Sequence, residues 1–530
     1  MSFLNGTSSL PSPDLKQFNV NSTNGTTNQQ ADPLPYLAGC RRFSGTFISD
    51  AFDQSNVTSG GGGKSSGKGG TTTEINYYAS FAVAFCLGPC DSFQGVYLNG
   101  DDVFTSSTQI TASELQQSDN IATFTSTAAH GLTTGQTVLV NGSQQTEFNG
   151  EFVVTVINAN QFQYTIPGES IISEVASGDA SDDGEIYAFA KLAPINRGAE
   201  DYIDIDIPSY GILRLYWGTE TQPADAYLAT SGVNQPPMHG VCYGIFKQFY
   251  LGLNQTNIQN VEVVLARTPT APWQANAGEN VINNEANAAI IFYDLLSHPR
   301  AGIGLTQADF NTAALATACT RFATEQLGIS PIITRTDTAL SLIQQLCESV
   351  DAIPVLDANG LLSLIPIRAP ANYGALTTLT DIQLAELPQL KAQDWSNTSN
   401  QTRIVFPNND AAWNDDYVEW FDFGSISAAQ KLAQPNTLQR DWITNRSTAL
   451  ALVQAAGLTA AVPVFSGSLT LLFTTALWTS LIPGSLFVNG FTTMPRANGI
   501  FRVTKRTFNK SDQPTFTIEF QADRSYFNTA

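Results

Sequence analysis

The chain has 530 residues, of which 42% are hydrophobic and only 13% are charged, and its formal net charge is −21. This length predicts about three or four domains, and the apolar content suffices for several cores and excludes global disorder. The acidic balance excludes a protein that wraps a nucleic-acid backbone, because wrapping needs an excess of Lys and Arg. It is compatible with nucleic acid that passes through an acidic pore.

The cysteines and the distribution of apolar residues indicate the cellular compartment in which the chain is made. Six cysteines are too few and too scattered for a disulfide scaffold, and Cys319 and Cys347 lie on predicted helix core faces as buried apolar residues. The N-terminus has neither the basic nor the apolar region of a secretory signal, and no run of about 18 apolar residues predicts a transmembrane helix. We expect a soluble chain that is made in a cytoplasm.

An N-terminal arm and a split β domain open the chain. Residues 1–37 are rich in Ser, Thr, Asn and Pro, which predicts an extended arm, with plain disorder as the alternative. Residues 38–109 and 187–270 together predict a first β domain that an insertion interrupts. Ser59–Gly70 is a Gly/Ser loop with two lysines, but it lacks the strand and helix of a nucleotide-binding loop and is interpreted as a hairpin tip.

Cys86 and Cys90 are weak candidates for a metal site in this first β domain. A pair of cysteines at this spacing can supply half of a metal or iron–sulfur site. No second pair of cysteines or histidines lies nearby in the sequence. We therefore predict no cofactor, and a metal at this pair stays open as the minor alternative.

Residues 110–186 predict an inserted small β domain, a sandwich or barrel of short alternating strands separated by Gly and Asn turns. His130 precedes a Gly-Leu turn without a nucleophile or acid at a recognisable spacing, so it is interpreted as a turn-packing histidine. His130 and Phe148 are the candidates for contact with a host or a partner. This domain resembles a β module of bacteriophage tail fibre and tail tip proteins, and the strings that carry the resemblance are 127–142, 148–157 and 161–166.

Residues 271–379 predict an α/β helical module, and residues 380–530 predict a second β-barrel-like domain. The module is the clearest local structure in the chain, because apolar residues recur there at helical spacing. Its predicted elements are a helix over Asn287–His298 that Pro299 ends, a helix from Thr306 to about Leu327 with Gly328 after its end, a helix over about Thr338–Val350, and a hairpin at Asp357–Gly360. The predicted fold class is mainly β with an α/β module, in several domains.

Five strings, in a kept order, resemble the hub portion of phage tail tip proteins. That family includes the central tail-tip protein of lambda-like siphophages and the hub of gene transfer agents. The strings are Gly67–Gly70, Tyr77–Pro89, Leu215–Gln222, Pro237–Tyr243 and Asn287–Arg300. The resemblance covers residues of about 40–110 and 187–530. Pro237-Met238-His239 replaces the usual Ala-Tyr-Arg, and Cys90 stands where an apolar residue is commoner.

The resemblance implies a structural virion protein of the tail tip, assembled in the bacterial host cytoplasm. It implies a trimeric baseplate hub that closes or continues the tail tube, serves host attachment by anchoring fibres, and takes part in genome ejection. The implied partners are two further copies in a homotrimer, a distal tail or tube protein, the C-terminus of the tape-measure protein, and tail fibre or other tip proteins. The resemblance further implies that the chain contacts the host envelope only through other proteins, and contacts viral DNA only while the DNA passes through the tail tip.

Within that hub, the helical module would brace one barrel against the next subunit. Four residues at its first helix are the candidate inter-element or inter-subunit contacts: Tyr293, Asp294, His298 and Arg300. Obligate interfaces of this kind bury on the order of 2,000 Å² and need no charge pairing, which agrees with the low charge content of the chain.

Two other functions remain open, a tail-associated cell-wall hydrolase and a receptor-binding adhesin, for which the inserted β domain is the candidate. The acid pairs Asp415–Asp416 and Glu348–Asp351 suit a glycosidase, but their predicted turn and helix-end positions favour a solvated face or a cap. Three histidines provide no catalytic triad, and the GxSxG string at Gly63–Gly67 lacks the strand and helix of a nucleophile elbow. No glycosidase-like barrel precedes the hub portion and no receptor-binding module follows it, so we predict a protein that is not an enzyme.

Overall fold

The computed structural model divides the chain into two units. Apart from short exchanges at Ala38–Cys40 and near Ile333, the first unit runs to Arg267 and the second begins at Thr268. The predicted arm up to residue 33 and the Gly/Ser loop from residue 60, with its GxSxG string, lie outside the described residues. The structure describes residues 34–59, 74–118, 120–143, 148–166, 186–230, 232, 236–273, 277–334, 338–357, 359–370, 372–393, 395, 398–411, 413–430, 436–492, 499–509 and 514–523.

The described residues up to Arg267 form strands and one short helix, α1 (Ala226–Ala229). The strands are β1 (Tyr36–Leu37), β2 (Gly39–Ser44), β3 (Thr46–Phe47), β4 (Phe52–Ser59), β5 (Glu74–Leu87), β6 (Ser92–Leu98), β7 (Asp101–Asp102), β8 (Thr105–Ser118), β9 (Ile121–Ser126), β10 (Thr137–Asn141), β11 (Gly150–Val153), β12 (Thr155–Asn158), β13 (Gln161–Thr165), β14 (Tyr187–Lys191), β15 (Ile195–Asn196), β16 (Tyr202–Ile207), β17 (Gly211–Trp217), β18 (Val241–Leu253) and β19 (Val261–Arg267).

Two long antiparallel strands, β5 and β18, form the centre of the first unit. They belong to a six-stranded sheet of order β16-β17-β18-β5-β3, with β4 also paired to β5, and a second sheet runs β15-β6-β19-β2 with β7 on β6. Both central strands are rich in aromatic and small apolar residues, which suits strands that are covered on both faces. Phe81 stacks on Phe246 at 4.7 Å between ring centroids, and Tyr216 stacks on Tyr243 at 4.5 Å. These ring pairs fix the register of three neighbouring strands.

Strands β8 to β14 form the inserted module, an antiparallel sheet of order β11-β10-β14-β8-β9-β13-β12. The module has a core of its own, in which Phe124 stacks on Phe162 at 4.7 Å and Phe152 stacks on Tyr164 at 4.3 Å. Alternating burial along β9 and β10 sends every second side chain into this core. The first and last strands of this module, β8 and β14, reach a few residues beyond 110–186.

The part of the chain after Thr268 contains strands, the longer helices and several short 3₁₀ turns. Its helices are α2 (Ala288–Ser297), α3 (Thr312–Glu325), α4 (Ala339–Val350), α5 (Phe423–Ala429), α6 (Arg446–Ala460) and α7 (Thr475–Ser480). Its strands are β20 (Val281–Ile282), β21 (Glu285–Asn287), β22 (Gly328–Ile329), β23 (Ile332–Ile333), β24 (Ala352–Leu356), β25 (Leu362–Pro366), β26 (Thr377–Leu379), β27 (Gln389–Ala392), β28 (Gln401–Asn408), β29 (Asn414–Phe421), β30 (Asn436–Gln439), β31 (Phe465–Leu472), β32 (Leu486–Asn489), β33 (Ile500–Asn509) and β34 (Thr515–Ala522).

The predicted helices of the helical module are present, with one correction. Helix α2 begins after Asn287, whose side chain accepts a hydrogen bond from the Ala289 amide, and α4 begins after Thr338. The single helix expected from Thr306 is wrong, because only a 3₁₀ turn (Gln307–Asp309) begins after Thr306, and α3 starts afresh after Asn311. Gly328 does not follow the end of α3, since it lies in β22.

Besides the small sheets β20-β21-β22 and β24-β25, the second unit contains two sheets that pack against a core or a helix. A six-stranded sheet of order β26-β32-β33-β34-β31-β27 surrounds an aromatic and aliphatic core, and a three-stranded sheet of order β29-β28-β30 is covered by α6. A side chain at Gly457 of α6 would lie 2.1 Å from the Trp420 ring of β29, so only glycine permits this approach. The predicted mainly β, multidomain fold class with an α/β module is confirmed. Among the described helices none is long and apolar enough to cross a membrane.

Candidate functional site

Three buried cysteines converge at one end of the central sheet of the first unit. Cys86 lies near the end of β5, Cys90 follows in the next turn, and Cys242 lies in β18. Their sulfur atoms all lie within 4.8 Å of one another, and the Cys86 and Cys90 Sγ atoms are 3.4 Å apart. All three side chains have no solvent exposure. We call these three residues the thiol cluster.

Strand pairing explains why two of the thiols share a face. Cys86 is the direct antiparallel partner of Cys242, so the two side chains point to the same side of the sheet. The next residue pair along the two strands is Tyr243 with Ala84. Phe85 therefore has no partner in β18 and is an extra residue of β5. Such a bulge turns the end of the strand and re-aims the side chains there.

The turn after β5 returns Cys90 to the two strands. The Gly88 amide donates to the Gly240 carbonyl at 2.9 Å, and the Cys90 amide donates to the Trp217 carbonyl at 2.8 Å. A Cβ atom at Gly88 would lie 2.6 Å from the Cα atom of Gly218, so the two backbones touch where no side chain fits. The third thiol is therefore held by main-chain contacts on both sides.

The side chain of Gln222 fastens the same strand ends. It is fully buried, accepts from the Gly218 amide at 2.9 Å and donates to the Val241 carbonyl at 3.0 Å. Gln222 thus connects the residue before Cys242 to the glycine that contacts the Cys90 turn. Buried amides satisfied in this way hold one arrangement of their surroundings.

Among the three thiols, the surroundings favour a thiolate at Cys86. Hydrogen bonds from the thiols of Cys242 and Cys90 hold the pKa of Cys86 well below its ordinary value, and the Arg267 guanidinium adds to this. Burial raises the pKa of Cys242 well above its ordinary value. Arg267 is itself buried and donates to the Leu37 carbonyl at 2.9 Å. The cluster can hold one negative charge that its own S–H donors and a nearby cation stabilise.

Sequence reasoning found two members of the cluster and missed the third. Cys86 and Cys90 are recognisable by their spacing, whereas Cys242 follows the inserted module and joins them only through the pairing of β5 with β18. The signal that finds it is the antiparallel pairing of two predicted apolar strands, each with a cysteine near one end.

The candidate contact residues of the inserted module have different surroundings. His130 accepts from the Leu132 amide at 3.0 Å, contacts the Asn158 carbonyl at 3.0 Å and meets the Phe162 ring edge-on. This is the predicted turn-packing role. Phe148 is only 1% exposed and lies in the module core, so its assignment as a contact residue is corrected: it supports the module and does not present a surface.

The four candidate contacts at α2 also differ in exposure. Tyr293 packs against the Trp273 ring at 4.6 Å and the Phe310 ring at 4.9 Å. His298 is buried and its Nδ1 accepts from the Arg300 and Ala301 amides, which closes the turn after the helix. Tyr293 and Asp294 are half-buried, and Arg300 is exposed.

The acids considered for hydrolysis hold structural partners. Asp416 accepts from Arg446 at 2.7 Å and from Asn408 at 3.0 Å. Glu348 pairs with Arg440 at 3.1 Å, and Asp351 ends α4 in the left-handed conformation. The Asp416 and Glu348 carboxylates thus connect elements within the second unit. The turn predicted at Asp415 and Asp416 is wrong, because both residues lie in β29.

Comparison with known proteins defines the fold. No protein-family model and no curated protein matches the chain. Among solved structures, a chain in the virion of the native gene transfer agent particle is similar over 96% of this chain and 88% of that chain, with 10% identity and a TM-score of 0.50.

Two other similar structures are tail proteins. The 43 kDa tail protein of prophage MuSo2 from Shewanella oneidensis covers 80% of this chain and 97% of its own, with 10% identity and a TM-score of 0.28. The tail protein from Neisseria meningitidis MC58 covers 82% and 97%, with 10% identity and a TM-score of 0.29. The similarity to the gene transfer agent virion chain, which covers most of both chains, shows a common fold. The resemblance to phage tail tip proteins is confirmed at the level of fold.

Proposed function

We propose that this chain is a structural component of a phage-like virion, the trimeric hub of its tail tip. The observation that carries the proposal is the likeness to a chain of the gene transfer agent virion, which spans 96% of this chain and 88% of the other. A likeness that covers nearly all of two chains concerns the whole architecture and not one exchangeable module. A structural role follows, because the same architecture is built into a particle there.

The surface of the second unit suits burial in an assembly. Ile382 is 84% exposed, Leu387 is 79% exposed and Phe423 is 76% exposed. Single exposed apolar residues are common, and a protein contact at these three would remove a large apolar area from water. Few charges interrupt such contacts, since only 13% of the residues are charged. We propose that these three residues lie in contacts between subunits or with other tip proteins.

The proposal extends to the organisation of the chain and its partners. The chain would comprise two hub β domains, the inserted β domain, and the helical module with Tyr293, Asp294, His298 and Arg300 at contacts. It would meet a distal tail or tube protein, the tape-measure C-terminus and fibres. The net charge of −21 would line the lumen with a surface that repels DNA and lets it slide during ejection.

A receptor-binding function is the second candidate, and the inserted module favours it. The module has its own sheet and core, so it can vary without disturbing the rest of the first unit. Val153 is 63% exposed and Ile157 is 52% exposed on it. Under this function, particles without the module would assemble and fail to adsorb.

Mass measurement of the purified full chain tests the hub proposal. We expect light scattering to give three times the chain mass of 57.0 kDa. Replacement of an exposed apolar residue by a charge, Ile382→Asp with Leu387→Asp, should give folded monomers, because a charge at a closed contact loses its water. Ile382→Val, which keeps the residue apolar, is the matched control and should stay trimeric. A wild-type chain that is a stable monomer and degrades cell wall would overturn the proposal.

A further inference from the structure

We propose that Cys86, Cys90 and Cys242 bind one soft metal ion, Zn²⁺ or Cu⁺, through their three thiolates. The three sulfur atoms come from two paired strands and the turn that follows one of them. Sulfur ligands select these thiophilic ions over hard cations such as Mg²⁺ and Ca²⁺. The site is a property of the first unit alone and does not depend on the proposed role in a virion.

The spacing of the sulfur atoms fits a single ion. With metal–sulfur bonds of about 2.3 Å, sulfur atoms around one ion lie roughly 3.8 Å apart in a tetrahedral site and roughly 4.0 Å apart in a trigonal site. The Cys86 and Cys90 sulfur atoms are 3.4 Å apart, and all three lie within 4.8 Å of one another. Small rotations of the side chains therefore place all three at bonding distance from a common centre.

The number of ligands separates this site from an iron–sulfur cluster. Clusters of that kind are commonly held by four cysteines, and in some [2Fe–2S] centres two histidines replace two of them. Among the residues that the structure describes, the group contains three cysteines and no fourth His, Cys, Asp or Glu. A mononuclear site with three sulfur ligands follows.

Coordination and charge favour different ions. Three ligands in a site closed to water suit Cu⁺, whereas structural zinc sites are almost always four-coordinate. Three thiolates with Zn²⁺ carry one net negative charge, which the buried guanidinium of Arg267 balances. The shared chemistry is thiolate coordination of a soft ion, and the metal found in the purified protein distinguishes the two.

A bound ion would join β5, β18 and the Cys90 turn at the place where Gly88 touches Gly218. Since the thiols have no exposure, the ion would enter while the unit folds and leave when it unfolds. Two other arrangements compete with a bound ion. One is three buried thiols without metal, and the other is a Cys86–Cys90 disulfide beside the free thiol of Cys242.

Metal analysis of the full chain, expressed with Zn²⁺ or with copper supplied, tests the inference. We expect one equivalent of zinc or copper per chain. X-ray absorption at the edge of that metal should place three sulfur atoms at about 2.3 Å. This second measurement needs no variant, so it stands even where a substitution prevents folding.

Substitutions assign the ligands. Cys242→Ala should reduce the bound metal at least about tenfold, in line with the loss of one of three ligands. The matched control is Cys319→Ala, which removes a buried sulfur outside the cluster and should retain one equivalent. The inference is overturned by a wild-type chain that takes up neither ion, by a metal shell without sulfur, by metal retained in Cys242→Ala, or by a mass two hydrogens short for a Cys86–Cys90 disulfide.

Discussion

Arg214 shows how single residues stabilise this weakly charged chain. Its guanidinium donates to both Asp204 oxygens, at 2.7 and 2.8 Å, and to the buried carboxylate of Asp225 at 3.1 Å. It also lies over the Tyr202 ring at 4.5 Å. Because the donors form a planar fork, one Arg organises a carboxylate and a ring on the neighbouring strand β16 together with the carboxylate that caps α1. The hydrogen bonds from Arg214, with the nearby Lys247, hold the pKa of Asp204 below its ordinary value.

This lowered pKa predicts a pH dependence of stability. A carboxyl whose folded-state pKa is depressed stabilises the fold above its unfolded pKa of about 4, and this contribution is lost as the pH falls further. Asp204→Asn should therefore lower the urea midpoint of the first unit at pH 7 and change it less at about pH 3. Asp206→Asn, two residues along the same strand and exposed, is the control for loss of one charge. Equal effects of Asp204→Asn at the two pH values would contradict the assignment.

At the scale of elements, sequence periodicity located the helices but not the break near residue 310. The break arises because two sets of local hydrogen bonds compete with one continuous helix. Asp309 bonds back to the Thr306 amide at 2.8 Å, and Asn311 accepts from the Ala314 amide at 3.0 Å to start α3. The end of α3 was also hidden, since Gln326 adopts the left-handed conformation at φ 56° where glycine is usual. From the sequence alone, a helix start after Thr306 and a helix start after Asn311 are two capping patterns of similar strength.

The cap of α4 gives a local test. Thr338 accepts from the Ser341 amide at 3.2 Å, so Thr338→Ala leaves this amide without its cap and should destabilise α4 by about 1 kcal/mol. Hydrogen exchange followed by mass spectrometry should find faster exchange for amides of Ala339–Val350 and unchanged exchange for α6. Thr338→Ser keeps the hydroxyl acceptor and should exchange as the wild type does. Slower exchange in Thr338→Ala, or an equal change in α6, would exclude a local cap effect.

At the scale of the whole molecule, the sequence predicted the mainly β, multidomain fold class with its α/β module. It did not predict which strands pair, because pairing across the inserted module joins residues far apart in the chain. Cys86 opposite Cys242 is the clearest case, since neither cysteine has a local pattern that names the other. A local sequence pattern indicates which residues are buried and whether a segment is a helix or a strand. Which strands pair is decided by side-chain packing in the complete sheet, as in the Phe81–Phe246 stack.

Ion pairs of Lys191 connect the inserted module to the rest of the first unit. Lys191, the last residue of β14, contacts Asp102 at 2.9 Å and Glu151 at 2.7 Å. The Asp102 side chain is only 3% exposed. Thr105 and Lys191 are partners across β8 and β14, so their Cα atoms are about 5 Å apart and a two-residue Asn-Gly turn can join them. This geometry permits removal of the module without removal of its buried anchor.

A chain in which Asn-Gly replaces residues 106–190 should fold with the central sheet intact, because the pairing of β5 with β18 does not involve the module. The same shortened chain with Lys191→Met should be less stable by about 3 kcal/mol, since Asp102 then keeps a buried charge without this cation. Chemical unfolding of the two shortened chains measures the difference, and equal midpoints would contradict it. Particles carrying the stable shortened chain separate the two proposed functions: adsorption that fails on normal tails assigns receptor binding to the module, and absent tails assign it to assembly.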